Sequence, residues 1–214
     1  MPKSTRTLSI AFLGQTMPDT KSGTVPPTFV SYKEKRPREY LVEHEVEELI
    51  AVAKKRGRYG HRDGTMILLA YRHGLRVSEL CALRWEQIDF NTDLFHVRRL
   101  KRGIESVHPL RGPELRALRK LKRESPPSSY LFVTERGSPM TAAGFRKLFT
   151  RVAECSSISL TIHPHMLRHA CGYKLVNDGH DVRMIQQYLG HKNIQHTVRY
   201  TVLSADCFKE FWSD

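Results

Sequence analysis

Residues 61–84 read HRDGTMILLAYRHGLRVSELCALR. From about Asp63 to His73 the apolar residues Met66 to Tyr71 run almost all round a helical wheel, which predicts a helix buried at the centre of the molecule. Gly74 stops that helix. A short helix carrying Glu79, Leu80 and Leu83 then begins. Helix, glycine link and helix together place Arg76 on a tight turn, where an anchored stem can present its guanidinium to a cleft.

Upstream, structure begins near Tyr40. Glu43 and Glu45 lead a stretch that puts Val46, Leu49, Ile50 and Ala53 on one face, and Lys54, Lys55 and Arg56 close it before Gly57. Acids first and bases last match the helix dipole. Downstream the period changes to two: Phe95 and Val97 alternate with His96 and Arg98, a turn falls around Lys101 to Gly103, and Ile104 to Leu110 returns, which reads as a β-hairpin. Helical patterning resumes over Glu114 to Arg123 and again after Thr141, an N-cap for a helix with core face Phe145, Leu148, Phe149 and Val152. Pro164 suits the first turn of a helix running to about Asn177, and Asp181 caps a short one ending at Gly190. Two last short helices cover roughly 194–203 and 205–212. The expected fold class is mainly α with a small antiparallel β-sheet (α+β).

The chain has 214 residues, and Lys plus Arg exceed the acids to give a net charge of +13. Residues 1–37, rich in Thr, Ser, Pro and Lys, read as a basic flexible arm, and 38–214 as one domain. No apolar run approaches the roughly 20 residues that span a bilayer. The charge points to a polyanionic partner, with nucleic acid first and an anionic membrane surface second. A membrane-surface protein would need a Lys/Arg-rich amphipathic helix with a broad apolar face, and none is evident. Cys81, Cys155, Cys171 and Cys207 are far apart and fit reduced, mostly buried thiols in a cytoplasmic protein. The apolar stretch Leu8 to Leu13 is a poor secretory signal.

Three clusters carry chemistry: Gly74-Leu75-Arg76-Val77-Ser78-Glu79-Leu80, then His165-Met166-Leu167-Arg168-His169, then Leu189-Gly190-His191 with Thr197 and Tyr200 following. Arg168 lies three residues after His165, so both project from one helix face. Two arginines, two histidines and a tyrosine without paired carboxylates make a poor metal site and a plausible phosphodiester site. Each guanidinium fork matches two phosphate oxygens and stays charged at any working pH. The Tyr200 hydroxyl is the candidate nucleophile, activated by a proton acceptor or by the cationic pocket, and His165 is the candidate base. Lys101, on the hairpin turn, is the candidate acid for the leaving 5′-oxygen. His165 and His169 also invite a zinc reading, but Met166 stands where HExxH has glutamate. His169 reads as a packing or orienting residue.

The helix after Thr141 carries Arg146, Lys147, Thr150 and Arg151 off its apolar face. That is either a solvated basic face or a helix laid against the major groove. Phe208, Phe211 and Trp212 make an apolar stripe near the chain end, suited to packing on its own domain or on a neighbouring subunit.

Taken together, GLRVSEL, HMLRH, LGH and the tyrosine nine residues after His191 resemble the catalytic domain of the tyrosine recombinase (phage integrase) family, in order and spacing. The resemblance covers about Arg38 to Trp212. It implies that Arg76 and Arg168 clamp the phosphate, that His165 opens the HxxR box, and that His191 hydrogen-bonds the scissile phosphate. It also implies that Tyr200 forms a 3′-phosphotyrosyl link, that Glu79 supports the first arginine, and that Lys101 is the hairpin lysine, with Arg102 as a competing register and DNA contact. It implies no cofactor and no metal ion, double-stranded DNA at a specific site as partner, a homo-tetramer on DNA docked through residues 205–214, and possible DNA-bending accessory proteins in the cytoplasm, associated with the nucleoid. The family's sizeable N-terminal core-binding domain has no counterpart in 37 residues, and in this the chain is similar to the fimbrial phase-variation invertases. The implied function is site-specific recombination by inversion, integration or excision. The competing readings are a type IB topoisomerase-like nicking and closing enzyme, and a non-catalytic DNA-binding regulator of the same fold.

Overall fold

In the computed structural model the described residues are 38–100 and 103–201. The arm at 1–37, the hairpin residues Lys101 and Arg102, and the docking segment at 205–214 lie outside the described residues.

Within the described residues the helices are α1 (Glu43–Lys55), α2 (Gly60–Arg72), α3 (Val77–Cys81), α4 (Gly112–Glu124), α5 (Ala142–Glu154), α6 (His165–Asn177), α7 (Val182–Leu189) and α8 (Gln195–Thr201). Between α3 and α4 lies an antiparallel sheet of β1 (Ile88–Asp89), β2 (Leu94–Val97) and β3 (Ser106–Pro109), in that spatial order. The fold is mainly helical with one small sheet, as the patterning predicts. The hairpin pairs Phe95 with His108 and Val97 with Ser106. Strand β1 escaped the sequence reading because two residues are too few to show a period. It is fixed by its turn: Asp89 accepts hydrogen bonds from the Asn91 amide at 2.8 Å and the Thr92 hydroxyl at 2.7 Å.

Helix α2 is the central element. Met66, Ile67 and Leu69 are buried, and it packs on α1, α4 and α6. It starts at Gly60 rather than near Asp63, so Asp63 sits in the first turn, where a carboxylate complements the helix dipole. Gly74 ends the element with φ +55°, left-handed backbone that suits glycine. The Thr141 hydroxyl accepts from the Gly144 amide at 3.0 Å, and Asp181 accepts from the Arg183 and Met184 amides, so both N-caps are as expected. Each fully buried Phe or Leu of the core, Phe95, Phe145, Phe149 and Leu69 among them, contributes roughly 1.5–3 kcal/mol. Cys81 and Cys171 are buried, whereas Cys155 is exposed beside Arg56 because it caps the surface end of α5.

Candidate active site

Four elements converge on one cleft of about 160 Å³. The α2–α3 turn supplies Arg76, and α6 supplies His165, Arg168 and His169. The residue after the C-cap of α7 is His191, and α8 supplies Tyr200 with Arg199 and His196 beside it. Residues up to 124 positions apart in sequence are thus gathered by helix ends and one helix face.

Arg76 is held by Glu79, its neighbour one turn on. The carboxylate accepts from the Arg76 guanidinium at 2.8 Å and from its backbone amide at 2.9 Å. Burial pushes the Glu79 carboxyl up, but the Arg76 amide bond and the Arg99 and Arg76 charges outweigh it and hold the group below its ordinary range. The Arg76 side chain remains 32% exposed, open to a ligand. Arg168 is only 1% exposed. It donates to the Gly74 carbonyl and, at 2.6 Å, to the Leu189 carbonyl, so it ties the Arg76 turn to the end of α7. Burial, then the Arg76 and Arg99 charges, lower its pKa to about 10. It still carries its charge at neutral pH.

Gly190 turns the chain out of α7 with φ +66°, and His191 follows. Nδ1 of His191 sits 2.9 Å from the Thr197 hydroxyl, while the Gln186 side chain holds the His191 carbonyl at 3.0 Å. Burial, with Arg168, Arg76 and His196 nearby, pulls the imidazole down to about 3, so it is neutral in the free protein.

Tyr200 is 1% exposed. Its hydroxyl lies 3.2 Å from Nδ1 of His169. Burial raises its pKa, opposed by the charges of Arg168, Arg199 and Arg76. The ring packs on α6 at Gly172, where an added Cβ would fall 2.6–2.8 Å from three ring carbons. His165, anticipated as the partner of Tyr200, is exposed at the cleft mouth, its ring edge-on to His169 with centroids 4.6 Å apart. His169, one helical turn deeper, takes the hydroxyl instead. Desolvation and the Arg168, His163 and Arg76 charges bring His165 to about 4; burial, then neighbouring His165 and Arg199, bring His169 to about 3.

Arg99, Gly172 and Thr197 support the site without having been singled out as site residues in the sequence. Thr197 alone left a signal, standing between the two motifs. Among the described residues, no three His, Cys, Asp or Glu side chains gather as a metal site, and no helix is long and apolar enough to cross a membrane. On α5, Arg146, Lys147, Thr150 and Arg151 are all exposed, while Phe145, Phe149 and Val152 are buried and Leu148 half-buried. Beside them Arg56, Arg58 and Tyr59 line a hollow of about 420 Å³ with Lys147 and Arg151.

Residues 39–206 match the family described as the phage integrase family. The chain belongs to it. The type 1 fimbriae regulatory protein FimE of Escherichia coli K12 is 42% identical over 182 residues, spanning 82% of this chain and 91% of the relative. Tyrosine recombinase XerC of Bacillus pumilus is 34% identical over 187 residues, 83% of this chain and 61% of that one. Among solved structures, the crystal structure of XerA recombinase superposes with a TM-score of 0.69 at 26% identity, over 80% of this chain and 63% of that one. The integrase-family chain thus spans nine-tenths of the fimbrial relative and under two-thirds of the Xer proteins. It is a tyrosine-type recombinase by family.

Proposed function

We propose that this chain cuts and rejoins duplex DNA at a specific site, with Tyr200 as nucleophile and without a cofactor. The observation that carries the reading is the cleft itself: Arg76, Arg168, His165, His169 and His191 line one small space with Tyr200. In the proposed step the Tyr200 oxygen bonds to phosphorus and its proton passes to His169 or, through it, to His165. The bond from phosphorus to the 5′-oxygen breaks, and that oxygen takes a proton from Lys101. Arg76 and Arg168 neutralise the non-bridging oxygens as charge grows on them. The bond to Thr197 engages Nδ1 of His191, so Nε2 is the nitrogen that meets a phosphate oxygen. Reversal by a 5′-hydroxyl restores the DNA backbone, and the energy of the broken linkage stays in the phosphotyrosine. Glu79 supports Arg76 throughout.

The same reading lays α5 and the neighbouring Arg56–Arg58 hollow against DNA, with Arg146, Lys147, Thr150 and Arg151 as contacts and Arg102 as a further one. Exchange between two duplexes breaks four strands, which calls for four copies of Tyr200 and hence a tetramer on DNA. We favour inversion of a DNA element over integration or excision on the resemblance of the sequence to the fimbrial phase-variation invertases. The same reading puts its action in the cytoplasm on nucleoid DNA, with DNA-bending proteins as accessory partners. The test is to incubate the protein with fragments of the DNA flanking its own gene, denature, and sequence whatever remains linked to protein. A discrete linked site, absent with Tyr200→Phe, is the expected result; relaxation of plasmids bearing no such site would favour a nicking and closing enzyme instead.

A further inference from the structure

We propose that Arg99 is a positioning residue that fixes Arg76 and His191 relative to each other and to the hairpin. The proposal rests on the recombinase reading above. Arg99 leaves the sheet two residues past the end of β2, and its side chain is wholly buried. Nη1 pairs at 2.9 Å with Oε2 of Glu79, the carboxylate whose other oxygen holds the Arg76 guanidinium. Nη2 donates to the Tyr188 carbonyl at 2.5 Å and to the His73 carbonyl at 3.4 Å. Tyr188 lies in the last turn of α7, from which His191 emerges, and Arg168 takes the next carbonyl, that of Leu189. An added Cβ on Gly190 would fall 2.8 Å from Nε of Arg99 and 2.8 Å from the Ile104 carbonyl, so the returning hairpin strand is pressed on the same spot. One guanidinium, carried on a residue of the hairpin, thus joins the support of the phosphate-clamping arginine to the end of the helix before the phosphate-binding histidine.

Folding alone is a poor reason for this side chain. Nε finds no hydrogen-bond partner among the described residues, and buried ion pairs are commonly replaced by apolar side chains without loss of stability. What an apolar replacement loses is the geometry: Glu79 is released on one side, and the α7 end on the other.

The test uses the full chain and, as probe, the duplex fragment trapped by the wild-type protein. Arg99→Met, Arg99→Lys, Glu79→Gln and the Arg99→Met/Glu79→Gln double variant are compared for DNA affinity, thermal melting and single-turnover formation of the covalent adduct. A displacement of the clamp near 1 Å predicts an adduct rate lower by about 10²-fold in Arg99→Met, with affinity unchanged. Melting falls in this variant, which leaves the buried Glu79 carboxylate one partner short, and recovers in the double variant, where both charges of the pair are gone. Arg99→Lys, which keeps the charge but not the fork, recovers part of the rate. The double variant is no slower than the slower single, because both act through one carboxylate. A wild-type rate in Arg99→Met, a fully additive double variant, or rate, affinity and melting falling together in both Arg99 variants would each overturn the proposal. If Arg99→Met does not fold, Arg99→Lys decides: slower cleavage at unchanged affinity supports it, and a wild-type rate overturns it. A wild-type protein that links to no DNA at all removes the recombinase reading and this proposal with it.

Discussion

The hydroxyl of Tyr200 meets Nδ1 of His169 at 3.2 Å, beneath a surface that leaves the tyrosine 1% exposed. A phenol has a reference pKa of about 10, and burial lifts this one further, so attack needs an acceptor and a favourable field. With its own pKa near 3, His169 is neutral at working pH and has a lone pair to offer. His169→Phe is expected to slow adduct formation by about 10²-fold or more while DNA affinity holds. An unchanged rate would send the proton to His165 by another route.

Gly172 sets the seat of Tyr200, the proposed nucleophile. With ring carbons of Tyr200 2.6–2.8 Å from where a Cβ would stand, Gly172→Ala has to shift the ring or α8. Overpacking of this kind costs about 1–3 kcal/mol of stability. The larger effect is expected on chemistry, since a displacement near 1 Å lowers the rate by about 10²-fold. Single-turnover cleavage with parallel melting curves separates the two; an alanine variant as active as wild type would show that the seat is not kept when DNA is bound.

How much of this arrangement is legible in the sequence depends on range. Local signals carry their elements directly: Gly74 as a helix stop, Thr141 and Asp181 as caps, the Phe95–Val97 alternation as a strand, and the apolar run of α2 as the centre. The residues that meet in the cleft also announce themselves, because a family pattern carries them. Physics within the sequence does not rank His169 above His165, since both lie on one face of α6 and only the placement of α8 decides which one Tyr200 reaches. Arg99 is hidden among Arg98, Lys101 and Arg102. Its burial follows from the hairpin packing on α7 through β3, a long-range arrangement that no local period encodes.

Acid should unfold this protein early. His73 and His108, with Nδ1 atoms 3.1 Å apart, are buried together beside Glu114, Arg72, Arg99 and Tyr188, and burial holds both rings below their ordinary range, His108 at about 2. His169 and His191, both buried, behave alike at about 3. An unfolded chain binds these protons near pH 6.5 and the native one does not, so stability is lost as pH falls below about 6.5. Each such group contributes a slope of up to about 1.4 kcal/mol per pH unit until its folded pKa is reached. Urea unfolding midpoints should therefore be flat above neutrality and fall steeply between about pH 6.5 and 5. A flat midpoint over that interval would mean that the histidines are already charged in the fold.

For Lys101, chemistry supplies the test. A substrate with sulfur at the 5′-bridging position has a leaving group that needs no proton. Lys101→Ala is expected to cleave this substrate at the wild-type rate and ordinary DNA about 10²-fold more slowly. Failure of the rescue, together with rescue of Arg102→Ala, would move the acid role by one residue.

On the proposed DNA contact, the exposed cations of α5 should divide into those that position and those that read. Arg151 flanks the hollow shared with Arg56 and Arg58, and no base edge is required for binding there. Arg151→Ala and Arg58→Ala should each weaken binding to every sequence and reduce the salt slope by about 0.9 for each phosphate left unneutralised. Arg146 stands in the first half of the helix, exposed on the flank of the face that buries Phe145 and Phe149. If it meets a guanine edge, Arg146→Ala should cost about 1–3 kcal/mol at the recognition site, leave non-specific affinity nearly intact and relax the preference at one base pair. Binding titrations at several salt concentrations, on the trapped site and on unrelated duplex, separate the two behaviours. Equal weakening on both duplexes for Arg146→Ala would make it another phosphate-binding residue, and undiminished affinity in all three variants would lift α5 off the DNA altogether.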